Sequence, residues 1–240
     1  MNRAMFSSAT GMAAQQKNLD VVADNLANAD VAGFKSAQAT FAALGGNAQL
    51  GTSATGTREI FAQGKLEKSG GPFDVAIDGA GFFRVERDGE RGYTRAGAFS
   101  RGADGTLRNA DGWKLGGIKI PAHAQNVTVA ADGRVSADLG GHAALALGRI
   151  RLAGFDAREG LRPIGSAIFA ATQASGSAHE LRAGGDRQPK LAFGMLEKSN
   201  VSIIESMMAI LAAQRAYEAN SKGVQAADEM LRIANNLHRS

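Results

Sequence analysis

Residues 19–35 read LDVVADNLANADVAGFK, from Leu19 to Lys35. The stretch begins as an amphipathic helix and then abandons its own pattern. Asn25, Asn28 and Asp30 crowd the end, and Gly33-Phe34-Lys35 closes it. A fraying terminus has no need of so polar and specified a turn, so the chain must be redirected here for a reason. Upstream, Met5, Met12, Leu19 and Leu26 recur every seven residues, a coiled-coil stripe of about three heptads. At ~1.5 Å per residue the spacing predicts a helix roughly 40 Å long over residues 3–29.

The far end has the same texture. Ile203, Ile210, Tyr217, Val224 and Leu231 also fall seven apart, which predicts a second long helix from about Glu197 to His238. Ile204, Met207, Met208 and Leu211 widen that stripe near its start, and Ser199 or Asn200 suits the N-cap. Gly223 interrupts the helix at a cost of about 1 kcal/mol, which suits a backbone passing close by. Gln214, Ser221 and Asp228 sit near the stripe, where polar groups would fix register in a crowded assembly. Arg215 also lies close to it; the charge either snorkels or meets an acid, with Glu218 within local reach.

Between the helices the helical period disappears. Asp-Gly occurs five times, at residues 78–79, 88–89, 104–105, 111–112 and 132–133, and suits tight hairpins. β-Branched and aromatic runs lie between these turns: 74–77, 81–86, 113–120, 126–130 and 133–137. Turn chemistry at that spacing predicts an antiparallel β domain. The fold class expected is therefore α+β: two long helices forming a coiled-coil-like pair, a central antiparallel β domain and an extended connector. The expected organisation is 1–30 helix, 31–72 turn and connector with a strand at Thr57 to Phe61, 73–193 β-rich domain, and 194–240 helix. A heptad stripe cannot hide against a domain it merely extends from. Each helix must pair with the other, with neighbouring copies, or with both.

Composition narrows the function. The chain has 240 residues, with 44% apolar residues, 31 glycines, 6% aromatics and a formal charge of +4. The cations are interspersed with acids and form no basic run, which argues against nucleic acid. With no cysteine, disulfides and thiolate chemistry are excluded. The N-terminus lacks the apolar core of a secretory signal, and no window approaches a membrane span. The four histidines, His123, His142, His179 and His238, are far apart and predict no metal site. Gly79-Ala80-Gly81 lacks the third glycine and the helix of a dinucleotide loop, so a hairpin turn is expected. Asp104 and Asp111 suit turns better than a calcium loop. No catalytic residue, cofactor or small-molecule substrate is expected.

Three blocks in order resemble the axial family of the bacterial flagellum, the rod and hook proteins. They are SSATGMAAQQKNLDVVADNLANADVAGFK, then DVAIDGAGFFRVE with GYTRAGAFSRGADGTL, then GMLEKSNVSIIESMMAILAAQRAYEANSKGVQAADEM. Residues 214–220, QRAYEAN, carry the most recognisable run. The opening block and IPAHAQNVTVAADGRVS are most similar to the distal rod branch, with the proximal rod and hook branches as alternatives. The resemblance implies a structural subunit that assembles helically into a torque-transmitting shaft, with terminal helices inside and the β domain outside. It also implies other rod and hook proteins as partners, a surrounding ring bushing, the flagellar export apparatus and a basal-body location without a cleaved signal. In that frame Met5, Met12, Leu19, Leu26, Ile203, Ile210, Tyr217, Val224 and Leu231 make assembly contacts. Gln214, Arg215, Glu218 and Asn220 would make polar contacts between subunits. The turn at Asn25, Asn28, Gly33, Phe34 and Lys35 takes the chain outward, with Phe34 pinned by burial worth about 2 kcal/mol. Two rival classes remain: a secreted β-rich oligomeric binding module, and an enzyme with its site in the β domain.

Overall fold

A computed structural model describes residues 3–45, 51–138, 144–185 and 188–237. The architecture is α+β, with two long helices and a large antiparallel sheet domain. The chain divides into two compact units. The first holds residues 1–29, 36–60 and 201–240; the second holds 30–35 and 61–200.

In the first unit α1 spans Arg3–Ala27 and α2 spans Ile203–Leu237. The start of α2 differs from the sequence expectation. Ser202 caps it, its hydroxyl accepting the Glu205 amide at 3.3 Å, and neither Ser199 nor Asn200 holds that place. Glu197, expected at the helix start, is the last residue of a strand, Met195–Glu197, that pairs with Leu66–Lys68. Local sequence could not show this, because the partner strand lies about 130 residues upstream.

Residues 36–60 also depart from the extended connector. Ala37–Leu44 pairs antiparallel with Gly51–Glu59, Ala37 opposite Glu59, with a bulge at Thr40/Phe41. The strand anticipated at Thr57 to Phe61 thus begins six residues earlier and ends at Glu59. Alanine, glycine and threonine carry little hydrophobic alternation, so the hairpin has almost no sequence signature. Within the unit it meets α1, the Thr52 amide donating to Thr10 Oγ1 at 3.3 Å.

The second unit is built on an antiparallel sheet of twelve strands among the described residues. Its main path runs Gln125–Val129, Arg134–Asp138, Leu145–Arg149, Lys114–Lys119, Phe82–Arg87, Glu90–Thr94, Ile168–Ala170 and Arg162–Gly165. Strands cover all five segments expected from the sequence. Residues 73–193 contain no α-helix among those described, only a 3₁₀ turn at Arg158–Gly160. Asp88-Gly89 closes a two-residue hairpin in which both residues take positive φ, 52° and 83°. Asp132-Gly133, Asp104-Gly105 and Asp111-Gly112 likewise join neighbouring antiparallel strands. Asp78-Gly79 does not. The strand before it, Val75–Asp78, pairs instead with Lys190–Phe193, so this turn sends the chain to a different sheet.

The central strand Phe82–Arg87 explains the apolar pair in its sequence. Side chains alternate across a strand, so Phe83 and Val85 enter one core while Phe82 enters another. The first core gathers Val75, Ile77, Phe99, Trp113 and Ile118; the second holds Tyr93, Phe155 and Phe169. Phe83 meets Phe99 edge to face at 5.4 Å, and Phe82 meets Phe155 at 5.9 Å. Phe83 is fully buried, and the single tryptophan, Trp113, reports on the same core. Phe83→Ala is expected to destabilise the second unit by about 3–5 kcal/mol, measured by the red shift of Trp113 emission in denaturant.

Candidate assembly surface and exit turn

The exit turn is fastened by side chains that reach backbone. Asn25 is buried at the end of α1 and pairs with Ala37 as a strand residue would. Its Nδ2 donates to the Ala37 carbonyl at 2.7 Å, and its Oδ1 accepts the Ala37 amide at 2.8 Å. Asn28 Nδ2 donates back to the Asp24 carbonyl at 2.8 Å, which also accepts the Asn28 amide at 3.1 Å, so the side chain reinforces the last turn of the helix. In the second unit, Gly33 takes φ 71°. A Cβ there would lie 2.2 Å from the Ala96 nitrogen, so glycine is required by both torsion and space.

The pin of the turn is Lys35 rather than Phe34. Phe34 is half-buried, whereas Lys35 is 2% exposed. Its ammonium contacts Glu197 Oε1 at 2.6 Å and donates to the Ala62 carbonyl at 2.7 Å. Glu197 is itself fully buried and binds Arg95 Nε through Oε2 at 2.7 Å. Its Oε1 also accepts the Gly64 amide at 2.9 Å, and its carbonyl accepts the Gly33 amide at 2.7 Å. Arg95 donates three further bonds, to the carbonyls of Gly79, Gly81 and Ile77. One carboxylate therefore joins the exit turn, the start of residues 61–68, the sheet and the strand that precedes α2. Burial holds the Lys35 ammonium below its usual pKa, against the pull of Glu197.

Sequence reasoning placed Lys35 in the turn but missed Arg95 and Glu197. No local signal marks them, since Lys35 and Glu197 are 162 positions apart. Gln214, Arg215 and Glu218 are exposed on α2, and Asn220 is half-buried. His123 and His179 are exposed, while His142 and His238 lie outside the described residues. Among the described residues no cluster of three metal-ligating side chains occurs.

The helices meet through small residues. On α2 the buried positions are Ser206, Ala213 and Ala227, seven or fourteen apart. Asn220, half-buried, falls between them in the same heptad row. A Cβ on Gly11 would come within 2.9 Å of the Asn220 side chain, and one on Gly223 within 2.8 Å of Ser8 Oγ. The bulky heptad row is only partly covered. Ile203, Tyr217 and Leu231 keep 45%, 40% and 39% of their surface, with Ile210 and Val224 half-buried. On α1, Met5, Met12, Leu19 and Leu26 are half-buried, and the buried positions are Ala14, Val21 and Asn25. Beyond them Ile204, Met207, Met208 and Leu211 stand exposed on the first turns of α2.

Two sets of experiments follow from this geometry. Two cations surround one carboxylate, so loss of the carboxylate costs more than loss of one cation. Glu197→Gln is expected to destabilise the second unit by about 3–5 kcal/mol. Lys35→Met leaves a neutral Arg95–Glu197 pair and is expected to cost about 1–3 kcal/mol; chemical denaturation of both variants checks the order. In the first unit, burial and then the neighbouring Asp24 charge push the Glu59 carboxyl up to about 7. The folded form thus holds its proton more tightly than the unfolded chain. The resulting stability is complete below the ordinary value of 4.5 and is lost as pH rises through about 7. Glu59→Gln is expected to flatten that slope between pH 5 and 8, read from the helical circular dichroism of the full-length chain on heating.

Comparison with known proteins gives one consistent result. Residues 5–35 match the family described as flagella basal body rod protein, and residues 76–137 match the flagellar hook protein FlgE/F/G D1 domain. Residues 193–237 match the flagellar basal body rod FlgEFG protein C-terminal family. Lys35, Arg95 and Glu197 come one from each of these three segments. The chain is 38% identical to the flagellar basal-body rod protein FlgG of Agrobacterium fabrum over 258 residues, covering 96% of this chain and 97% of that protein. It is 38% identical to FlgG of Borreliella burgdorferi over 264 residues, the full length of both. The flagellar basal-body rod protein FlgF of Caulobacter vibrioides is 32% identical over 248 residues, with 98% and 97% covered.

Proposed function

The chain belongs to the flagellar basal-body rod protein family, and from that premise we propose that it is a structural subunit of the distal rod. Copies assemble helically into a rigid shaft that carries torque from motor to hook. Full-length similarity to proteins named FlgG, at 38% against 32% for FlgF, supports the distal branch. The FlgF similarity keeps a proximal-rod subunit as the second reading. The protein is a structural component and not an enzyme.

One observation carries the assembly reading. Ile204 is 73% exposed and Met208 64%, with Met207 and Leu211 beside them on the same turns of α2. An isolated soluble chain gains nothing from such a row, and contiguous exposed apolar surface marks an interaction site. Heterologous contacts that fail to close into a ring generate filaments. Methionine adapts its shape, which suits contacts that differ slightly around a helical array. Met5, Met12, Leu19, Leu26 and the bulky row of α2 serve as the assembly contacts in this reading, helped by Gln214, Arg215, Glu218 and Asn220. The turn at Asn25, Asn28, Gly33, Phe34 and Lys35 leads the chain from the axial helices to the outer domain. Other rod and hook proteins, the ring bushing and the export apparatus complete its partners.

Met208→Asp is expected to leave the Trp113 emission and unfolding midpoint of the purified chain unchanged while abolishing swimming in cells that depend on it. Removal of residues 1–29 is expected to give a soluble second unit that neither assembles nor supports motility. A Met208→Asp strain that swims normally, or a purified chain that forms only a discrete small oligomer, would contradict the proposal.

A further inference from the structure

The ionic cluster has a property that the assembly reading leaves unused. Beside it in the second unit lies a pocket of about 250 Å³, bounded by Gln63, Phe61 and the turn at Gly79–Gly81. Three cationic side chains line it, Lys35, Arg95 and Arg158, and no carboxylate does. Glu197 balances only one of them, and its two oxygens are already taken by Lys35, Arg95 and the Gly64 amide. Lys35 and Arg95 are almost wholly buried, so water does little to screen the excess charge. Arg158 is exposed at the mouth on its 3₁₀ turn. Besides Glu197, Asp78 approaches the lining, its Oδ1 lying 3.4 Å from Gln63 Nε2. Asp78 is an exposed residue outside the lining.

A buried surplus of positive charge next to an open space is costly unless an anion arrives. A planar, exposed guanidinium at the entrance is suited to a forked bond with a carboxylate. We propose that this pocket is a carboxylate site, filled by an Asp or Glu side chain from a second copy of the chain. The lowered pKa of the Lys35 ammonium fits the same account, since an arriving anion would favour its charged form further. The source of the carboxylate rests on the assembly reading; the existence of the site does not.

Two arms test this. In the first, sodium acetate is titrated into the purified full-length chain against sodium chloride at matched ionic strength, following the Nε–H resonances of Arg95 and Arg158. A saturable shift with acetate, absent with chloride and lost in Arg158→Gln, is expected. A linear response equal to that of chloride overturns the carboxylate site. The second arm asks whether variants restore swimming to cells that lack the chain. Arg158→Glu is expected to fail and Arg158→Lys to succeed, with Trp113 emission unchanged in both. Saturable acetate binding together with normal swimming in Arg158→Glu cells overturns the neighbouring copy as the source. If the unaltered chain fails to restore swimming, the assembly reading itself falls, while the acetate result still decides the pocket.

Discussion

A carboxylate with no access to water, Glu197, decides how the second unit is closed. It holds Lys35 on one oxygen and Arg95 on the other, and the backbone of its residue receives Gly33. Taken out of solvent, three charges cost several kcal/mol each before they attract one another. Carbonyls of Ala62, Ile77, Gly79 and Gly81 take four further hydrogen bonds from the two cations and help to repay that cost. A misplaced segment would leave one of these charges buried and unpaired, at a cost of about 3–5 kcal/mol. Residues 30–35, 61–64 and 197 come from remote parts of the chain, and this is the chemistry that brings them to one place.

The first unit works by a different rule. Small side chains let α1 and α2 approach closely, as the space at Gly11 and Gly223 shows. Close approach at the alanine and glycine row leaves the bulky row on the flank and the Ile204–Leu211 face uncovered. A pair of helices that consumed all its apolar surface would have nothing left to offer a neighbour. Here the pairing uses the residues that contribute least burial, and many of the larger ones stay partly or largely exposed.

Much of this was legible in the sequence, and the failures share a cause. Helix length, four of the Asp-Gly hairpins and the strands between them depend on neighbours a few positions away, and local patterns report them. The Asp78-Gly79 turn was misread because its strand is claimed by residues 190–193. The heptad spacing put the start of the second helix at about Glu197, whereas that residue ends a strand whose partner is remote. The hairpin at 37–59 is written in alanine, glycine and threonine, which give no alternation to detect. The seven-residue spacing on α2 was real, yet it named the bulky row when the tighter contact runs along Ser206, Ala213, Asn220 and Ala227. Phe34 looked like the natural anchor of the turn, and a lysine took that role because its counter-ion, 162 residues away, is invisible to any window.

The most direct test of the Glu197 cluster is amide hydrogen exchange in the full-length protein. The Gly64 amide ends on Glu197 Oε1 and the Gly33 amide on its carbonyl, although neither residue lies in a strand or helix. If the carboxylate organises the unit as described, both amides exchange as slowly as those of the Phe82–Arg87 strand. Exchange of Gly33 and Gly64 at the rate of the exposed Gly89 turn, with that strand still protected, would contradict the account.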